Sequence, residues 1–188
     1  MSVAKIENQF AEIARSFERL YPIAPLVAEA GDLLIAALRH GGKILFCGNG
    51  GSAADSQHLA AELMGRFLVD RAPLPAISLT TDTSALTAIG NDYGYDQVFS
   101  RQLRGLGRTG DALVAISTSG NSRNVVAALQ AARQMGIGTI GLTGGNGGQM
   151  AAMCDVCICV PAERTDQIQQ LHITIGHILC GLVEEAVC

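Results

Sequence analysis

The sequence predicts an α/β fold: a single doubly wound, five-stranded parallel sheet flanked by helices, with a helical segment ahead of it. Three observations predict it. Five short apolar runs of strand length occupy residues 43–47, 76–79, 112–116, 139–142 and 156–160. Loops of small polar residues follow the first four, and helix-like stretches recur between strands, the rhythm of right-handed parallel crossovers. Finally, 188 residues, 48% apolar and 16% charged, suffice for one compact core and hardly for two. No linker or low-complexity stretch divides the chain, so residues 1–188 read as a single domain.

Each element has its own warrant. In the first twenty residues Val3, Ile6, Phe10, Ile13, Phe17 and Leu20 recur by threes and fours, a seam along one helix. Pro22 and Pro25 interrupt it, Pro25 fitting the first turn of a second helix. That helix carries Leu26, Val27, Ala30, Leu33, Leu34, Ala37 and Leu38 until Gly41-Gly42 stops it. Residues 1–40 therefore cover either their own sheet or a second copy of the chain, and both readings stand. The 43–47 strand then meets Gly48-Asn49-Gly50-Gly51-Ser52 and a helix from Ala53; the 76–79 strand meets Thr80-Thr81-Asp82-Thr83-Ser84. The 112–116 strand leads through Ser117-Thr118-Ser119-Gly120-Asn121-Ser122 to a helix over 125–135, and the 139–142 strand to Thr143-Gly144-Gly145-Asn146-Gly147-Gly148. The fifth strand passes through Pro161 into a final helix over 167–187.

Composition excludes several classes of function. Lys plus Arg number 13 against 17 Asp plus Glu, and Lys5 and Lys43 are the only lysines. No basic stripe is present, so nucleic acid is not an expected partner. With 4% aromatics and no Trp, stacking platforms are not expected either. No run of eighteen apolar residues occurs and the first ten residues lack a signal peptide's apolar stretch, which points to a cytoplasmic protein without membrane contact. Among six cysteines, Cys154-x-x-Cys157 has zinc-ligand spacing, but no second pair follows it. Cys157 and Cys159 instead read as small apolar filler of a buried strand, and all six as reduced thiols.

Chemistry belongs in the loops beyond the carboxyl ends of the strands. Glycine lets a backbone approach an anion, while hydroxyls and helix-terminal amides donate to it. The loops Gly48–Ser52 and Ser117–Ser122 both have this character, and Ser117, Thr118, Ser119 and Ser122 suffice for a phosphate monoester without lysine. Two such loops in one sheet favour an anion over ordinary capped turns. No Gly-Lys-Ser/Thr occurs, which excludes a triphosphate P-loop. Gly48-x-Gly50-x-x-Ala53, with Asp82 closing the second strand, fits a relaxed dinucleotide fingerprint, but that reading leaves the Ser117 loop without a role.

Two helices supply ionisable groups. His58 and Glu62 are four apart and share a face, with Asp55 three before His58. In the last helix Gln169, Gln170, His172 and His177 interrupt Ile168, Leu171, Ile173, Ile175, Ile178 and Leu179. Gln170 and His177 lie about 20° off one stripe, whereas His172 lies about 140° from His177. A hydrogen-bonded core role is the plainer reading for any one histidine; the set His58, Glu62 and His177 beside a phosphate loop reads as a site. Two histidines, a carboxylate and an amide can serve a divalent metal, zinc matching that donor set best, and a Glu there can act as a base. His40, at a helix end, needs only a capping role.

Together Cys47–Ser52, the Asn91-Asp92-Tyr93-Gly94 turn, Ser117–Ser122 and Ile168-Gln169-x-x-His172 resemble the sugar isomerase (SIS) domain family, and within it the phosphoheptose isomerases. The resemblance spans nearly the whole chain. It implies flavodoxin-like subunits in a homotetramer with interfacial active sites, isomerising sedoheptulose 7-phosphate to glycero-manno-heptose 7-phosphate for cell-surface glycans. It implies zinc held by His58, Glu62, Gln169 and His177, with Glu62 as base and His177 as acid in an enediol proton transfer. It implies a phosphate held by Ser117, Thr118, Ser119 and Ser122, and a sugar site lined by Asn49, Gly50, Gly51, Ser52, Asp92 and Gln169 with Asp55 in support. Where the family often has Arg-Ile-Gln-Glu, this chain has Gln167-Ile168-Gln169-Gln170. Helix geometry alone favours Gln170 as companion of His177, so Gln169 and Gln170 both stay candidates. Non-catalytic SIS proteins that bind a phosphosugar or a replication initiator are the rival; as the resemblance has it they lack the acid–base pair, and this chain has both Glu62 and His177.

Overall fold

The computed structural model describes residues 2–188. Strands β1 (Ile44–Gly48), β2 (Ala76–Ser78), β3 (Ala112–Ile116), β4 (Gly138–Gly144) and β5 (Val156–Val160) form one all-parallel sheet in the order β2-β1-β3-β4-β5. This is the flavodoxin-like order, in which the winding reverses between β1 and β3. The loops after those two strands are the two singled out in the sequence, so the topology puts them side by side.

Helices cover both faces, which is why the strands are apolar throughout rather than alternating. On one face Ile44, Phe46, Val114, Ile116, Ile140 and Leu142 pack under α2 (Ala24–Arg39), α3 (Gly51–Met64) and α7 (Thr165–Val187). On the other, Leu45, Cys47, Leu113 and Ala115 pack under α5 (Val98–Leu106) and α6 (Arg123–Gln134). α1 (Val3–Glu18) precedes them and leaves Val3, Ile6 and Phe10 exposed. The N-terminal segment thus divides between the two readings: α2 buries Ala30 and Leu34 on its own sheet, while the seam of α1 is uncovered in the single chain. One eighteen-residue window within residues 3–39 is apolar enough to match a membrane span, but the 3-10 turn Tyr21–Ile23 interrupts this helical segment. His40 caps α2 as expected, its Nδ1 2.7 Å from the Ala36 carbonyl.

Three details depart from the sequence reading. The β2–β3 crossover holds two helices, α4 (Thr83–Tyr93) and α5, and the expected turn at 91–94 is the last turn of α4, closed by Gly94 at φ +84°. Asp82 caps α4 by accepting from the Ala85 amide at 2.9 Å, a role other than the ribose contact of a dinucleotide site. Between β4 and β5 there is only a 3-10 helix, Gly148–Ala152, because Gly145, Gly147 and Gly148 all take positive φ. Finally, Cys157 and Cys159 are not core filler. They sit half-buried on the opposite face from Val156, Ile158 and Val160, their sulfurs 3.9 Å apart, with the Thr143 hydroxyl 3.3 Å from Cys159 Sγ. All six cysteines are unpaired.

At the amino end of the sheet, away from the loops just described, Asp111 ties β3 to the start of β1. It accepts from the Lys43 amide at 2.9 Å, the Lys43 ammonium at 2.6 Å and the Arg108 amide at 2.7 Å, and its side chain is 3% exposed. Removing one partner of such a buried pair leaves the other unsatisfied. Asp111→Asn is expected to lower unfolding free energy by about 2 kcal/mol in urea titrations; an unchanged midpoint contradicts this reading.

Candidate active site

α3 and α7 pack side by side, and their contact builds the site. An added Cβ at Gly176 of α7 would lie 2.5 Å from Leu59 of α3, so glycine is what lets the two helices approach. The same register brings His58 and Glu62 against His177. His58 Nε2 lies 3.0 Å from His177 Nε2 and 3.0 Å from Glu62 Oε1. One ligand atom from each of the three falls within 4.8 Å of the others, a donor set that fits one divalent cation. Phe67, from the loop after α3, stacks on the His177 ring with centroids 5.6 Å apart and an interplanar angle of 22°.

The other predicted residues spread over the adjoining loops. Gly50, at φ +57°, turns the chain from β1 into α3, and an added Cβ at Gly51 would run into the Gln169 side-chain amide. The Gln169 side chain therefore meets the first turn of α3, while the Gln170 Oε1 is buried without a partner. Ser52 is buried at the same turn, its amide bonded to the Asn49 carbonyl at 3.0 Å. Asp55 is half-buried with Oδ2 unpartnered; burial pushes its carboxyl up to about 6, and nearby His58 pulls it partly back. Asp92 ends α4 in an exposed position and accepts from Asn91 at 2.8 Å.

Around β3, Ser117 Oγ lies 2.9 Å from Ser122 Oγ and 3.5 Å from Ser119 Oγ, so three hydroxyls converge. Ser122 holds the N-cap position of α6, yet its side chain makes no cap hydrogen bond. The hydroxyl cluster and an uncapped helix start together present the donors that an anion could accept from. Gly120, at φ +65°, packs directly on the Gly147 carbonyl, which no other residue could do. Thr118 contributes its carbonyl to Gly144 at 3.1 Å. Asn49 and Asn124 exchange amide hydrogen bonds at 2.9 and 2.8 Å, and this bridge joins the two loops across the switch point.

Two side chains that the structure brings to this region escaped sequence reasoning: Phe67 and Asn124. Asn124 was findable as a polar residue opening an apolar helical run; Phe67 sits in a loop with no periodic signal. His172 turned out fully buried, on the sheet side of α7 away from His177, with neither ring nitrogen hydrogen-bonded. Burial drives its pKa down to about 4, relieved in part by the Thr143 backbone.

With this geometry in hand, comparison with known proteins is informative. The profile of the SIS domain matches residues 9–144. A phosphoheptose isomerase of Rhodospirillum rubrum is 63% identical over 175 residues, covering 93% of each chain. Among solved structures, a phosphoheptose isomerase of Neisseria gonorrhoeae superposes with a TM-score of 0.91 at 48% identity, covering 97% of this chain and 98% of that one. One from Francisella tularensis gives 0.94 at 37% identity, covering 98% and 99%. The chain belongs to the SIS domain family and, within it, to the phosphoheptose isomerases; it is an isomerase of heptose phosphates.

The buried His172 makes stability depend on pH. Its folded-state value near 4 lies below the ordinary 6.5, so the unfolded chain takes up the proton first as pH falls. Its contribution is complete above pH 6.5 and is lost towards pH 4, in all about 3 kcal/mol. Denaturant titrations of wild type and His172→Leu over this range are expected to differ by that acid-side loss; parallel curves contradict it.

Proposed function

We propose that this chain converts sedoheptulose 7-phosphate to D-glycero-D-manno-heptose 7-phosphate by proton transfer through an enediol. The observation that carries this reading is the meeting of Glu62, His58 and His177 from two separate helices, with nitrogens and oxygen 3.0 Å apart. Aldose–ketose isomerisation needs a base on the carbon-bound proton, a proton donor at the oxygens and a remote anchor.

The hydroxyls of Ser117, Ser119 and Ser122, with Thr118 and the start of α6, hold the phosphate. That anchor fixes the sugar along Asn49, Gly50, Gly51 and Ser52, with Gln169 and Asp92 as hydroxyl partners and Asp55 supporting α3. Glu62 takes a proton from C1 of the ketose, giving the enediol, exchanges it with solvent, and delivers a proton to C2. Its Oε1 faces His58, leaving the second oxygen for this transfer. His177 moves the hydroxyl proton between O1 and O2, so one proton is shifted on carbon and one on oxygen, and none is consumed. A zinc ion held by His58, Glu62 and His177, with Gln169, would polarise the carbonyl oxygen.

The exposed Val3, Ile6 and Phe10 on α1 support a homotetramer in which residues 1–40 pack between subunits and the sites lie at interfaces. A cytoplasmic location without nucleic-acid or membrane partners goes with this reading. The rival, a non-catalytic phosphosugar- or initiator-binding SIS protein, gives no reason for the three donors to converge.

Two outcomes test the assignment. Glu62→Gln is expected to lower kcat by about 10²–10⁴-fold with the circular dichroism unchanged, and dephosphorylated heptulose to be a poor substrate of wild type. Full turnover by the variant removes the base, and equal turnover of both sugars removes the anchor. Chelation is expected to abolish turnover and zinc to restore it in wild type but not in His58→Ala; chelator-resistant turnover contradicts the metal assignment.

A further inference from the structure

We propose that the buried ion pair between Glu184 and Arg71 is a positioning device that holds Glu62 and His177 in register. This inference rests on the roles just assigned to those two residues. Residues 65–75, between α3 and β2, form no regular element, so side chains must fix their path. Glu184, on α7, does so: its carboxylate accepts from the amides of Phe67 at 3.0 Å, Leu68 at 2.7 Å and Val69 at 3.0 Å, and from Arg71 Nε at 2.9 Å.

Arg71 completes the latch from the other side. Its Nη1 donates to the carbonyls of Leu63 at 2.8 Å, Gly65 at 3.3 Å and Ala72 at 3.0 Å, and its Nη2 donates to the carbonyl of Glu62 itself at 3.0 Å. The guanidinium thereby caps the carbonyl end of α3, where charge and geometry both favour a cation. Both side chains of the pair are nearly inaccessible, at 4% and 3% exposure. Burial works against the Glu184 charge, but the three amides and Arg71 outweigh it and hold the carboxyl below its ordinary value.

The latch reaches the chemistry through one stripe of α7. His177, Gly181 and Glu184 fall at i, i+4 and i+7, hence on one face. The Phe67 ring lies against this stripe, since an added Cβ at Gly181 would be in ordinary contact with it at 3.5 Å, and the same ring stacks on His177. Glu184, on the helix that carries His177, thus fixes Phe67 on the imidazole, and Arg71, held by Glu184, fixes the backbone of Glu62. A well-packed apolar pair could hold the loop in place equally well. What such a pair lacks is the set of directed bonds to the residue-62 carbonyl and the residue-67 amide.

The test is Glu184→Gln, assayed on folded protein well below its melting temperature. A fall in kcat of about 10–100-fold is expected, with KM changed by less than about threefold because the phosphate anchor lies elsewhere. The chain has four histidines, so imidazole C–H signals in NMR resolve singly; the His177 signal is expected to lose the ring-current shift from Phe67. Asp111→Asn disturbs a buried pair at the far end of the sheet and is expected to keep wild-type kcat. Wild-type kcat with an unmoved His177 signal in Glu184→Gln overturns the proposal, as does an equal loss of kcat in Asp111→Asn. Should Glu184→Gln fail to fold, Phe67→Leu carries the same measurement with the pair intact: reduced kcat at retained KM is expected, and unchanged kcat overturns the proposal. If Glu62→Gln and His177→Asn both retain turnover, the functional reading fails and takes this inference with it. If they lose turnover while Glu184→Gln keeps it, only the positioning role falls.

Discussion

The structure depends on one close approach, that of α3 to α7. Leu59 and Leu63 of α3, with Leu179, Cys180 and Val183 of α7, are buried in the same core, each large side chain stabilising the contact by about 1.5–3 kcal/mol. Gly176 removes the Cβ that would otherwise strike Leu59. The parallel register that results is set by apolar packing, and the polar side chains ride on it: Gln169 meets Gly51, His177 meets His58, and Glu184 meets the Phe67 amide. Residues more than a hundred positions apart in sequence become neighbours because the core between them leaves no other arrangement.

A second constraint comes from the sheet. The reversal of winding between β1 and β3 places the glycine loop and the hydroxyl loop next to each other, and the Asn49–Asn124 amide pair fastens them. The hydroxyl loop thus hangs on a strand of the sheet and the ionisable trio on helices, and the turn at Gly50-Gly51 joins β1 to the helix that carries His58 and Glu62. For a reaction in which an anchored tail and a reacting head belong to one extended sugar, this division lets binding energy at one end orient the other. The exposed seam of α1 lies outside both the loop and the trio, which fits a role in association rather than in shaping either.

Much of this was legible in the sequence, for physical reasons. The strands announce themselves because both faces of a parallel sheet are buried, and the hydroxyl loop because Ser117, Thr118, Ser119 and Ser122 stand within six positions. His58 and Glu62 are readable from helical spacing alone; joining them to His177 needed the tertiary contact. What stayed hidden lacks local signal. α4 mixes Thr, Ser, Gly and Asn, which read as a loop, with Ala, Leu and Ile, and its start carries the Asp82 cap. Cys157 and Cys159 alternate correctly for a strand, but an edge strand leaves one face half open, so they are not filler. Glu184 reads as the polar end of a helix, and nothing in its neighbours shows that three loop amides and Arg71 converge on it. That Gln169 lies against Gly51 is likewise a tertiary contact that helix angles do not contain.

The central claim is that Glu62 carries a proton between two carbons of the sugar. The most direct measurement runs the ketose phosphate in D2O and follows deuterium by NMR. Wild type is predicted to place deuterium at C2 of the aldose product and to exchange C1 of recovered ketose, while Glu62→Gln does neither. Deuterium entering the sugar as fast with Glu62→Gln as with wild type would contradict the account.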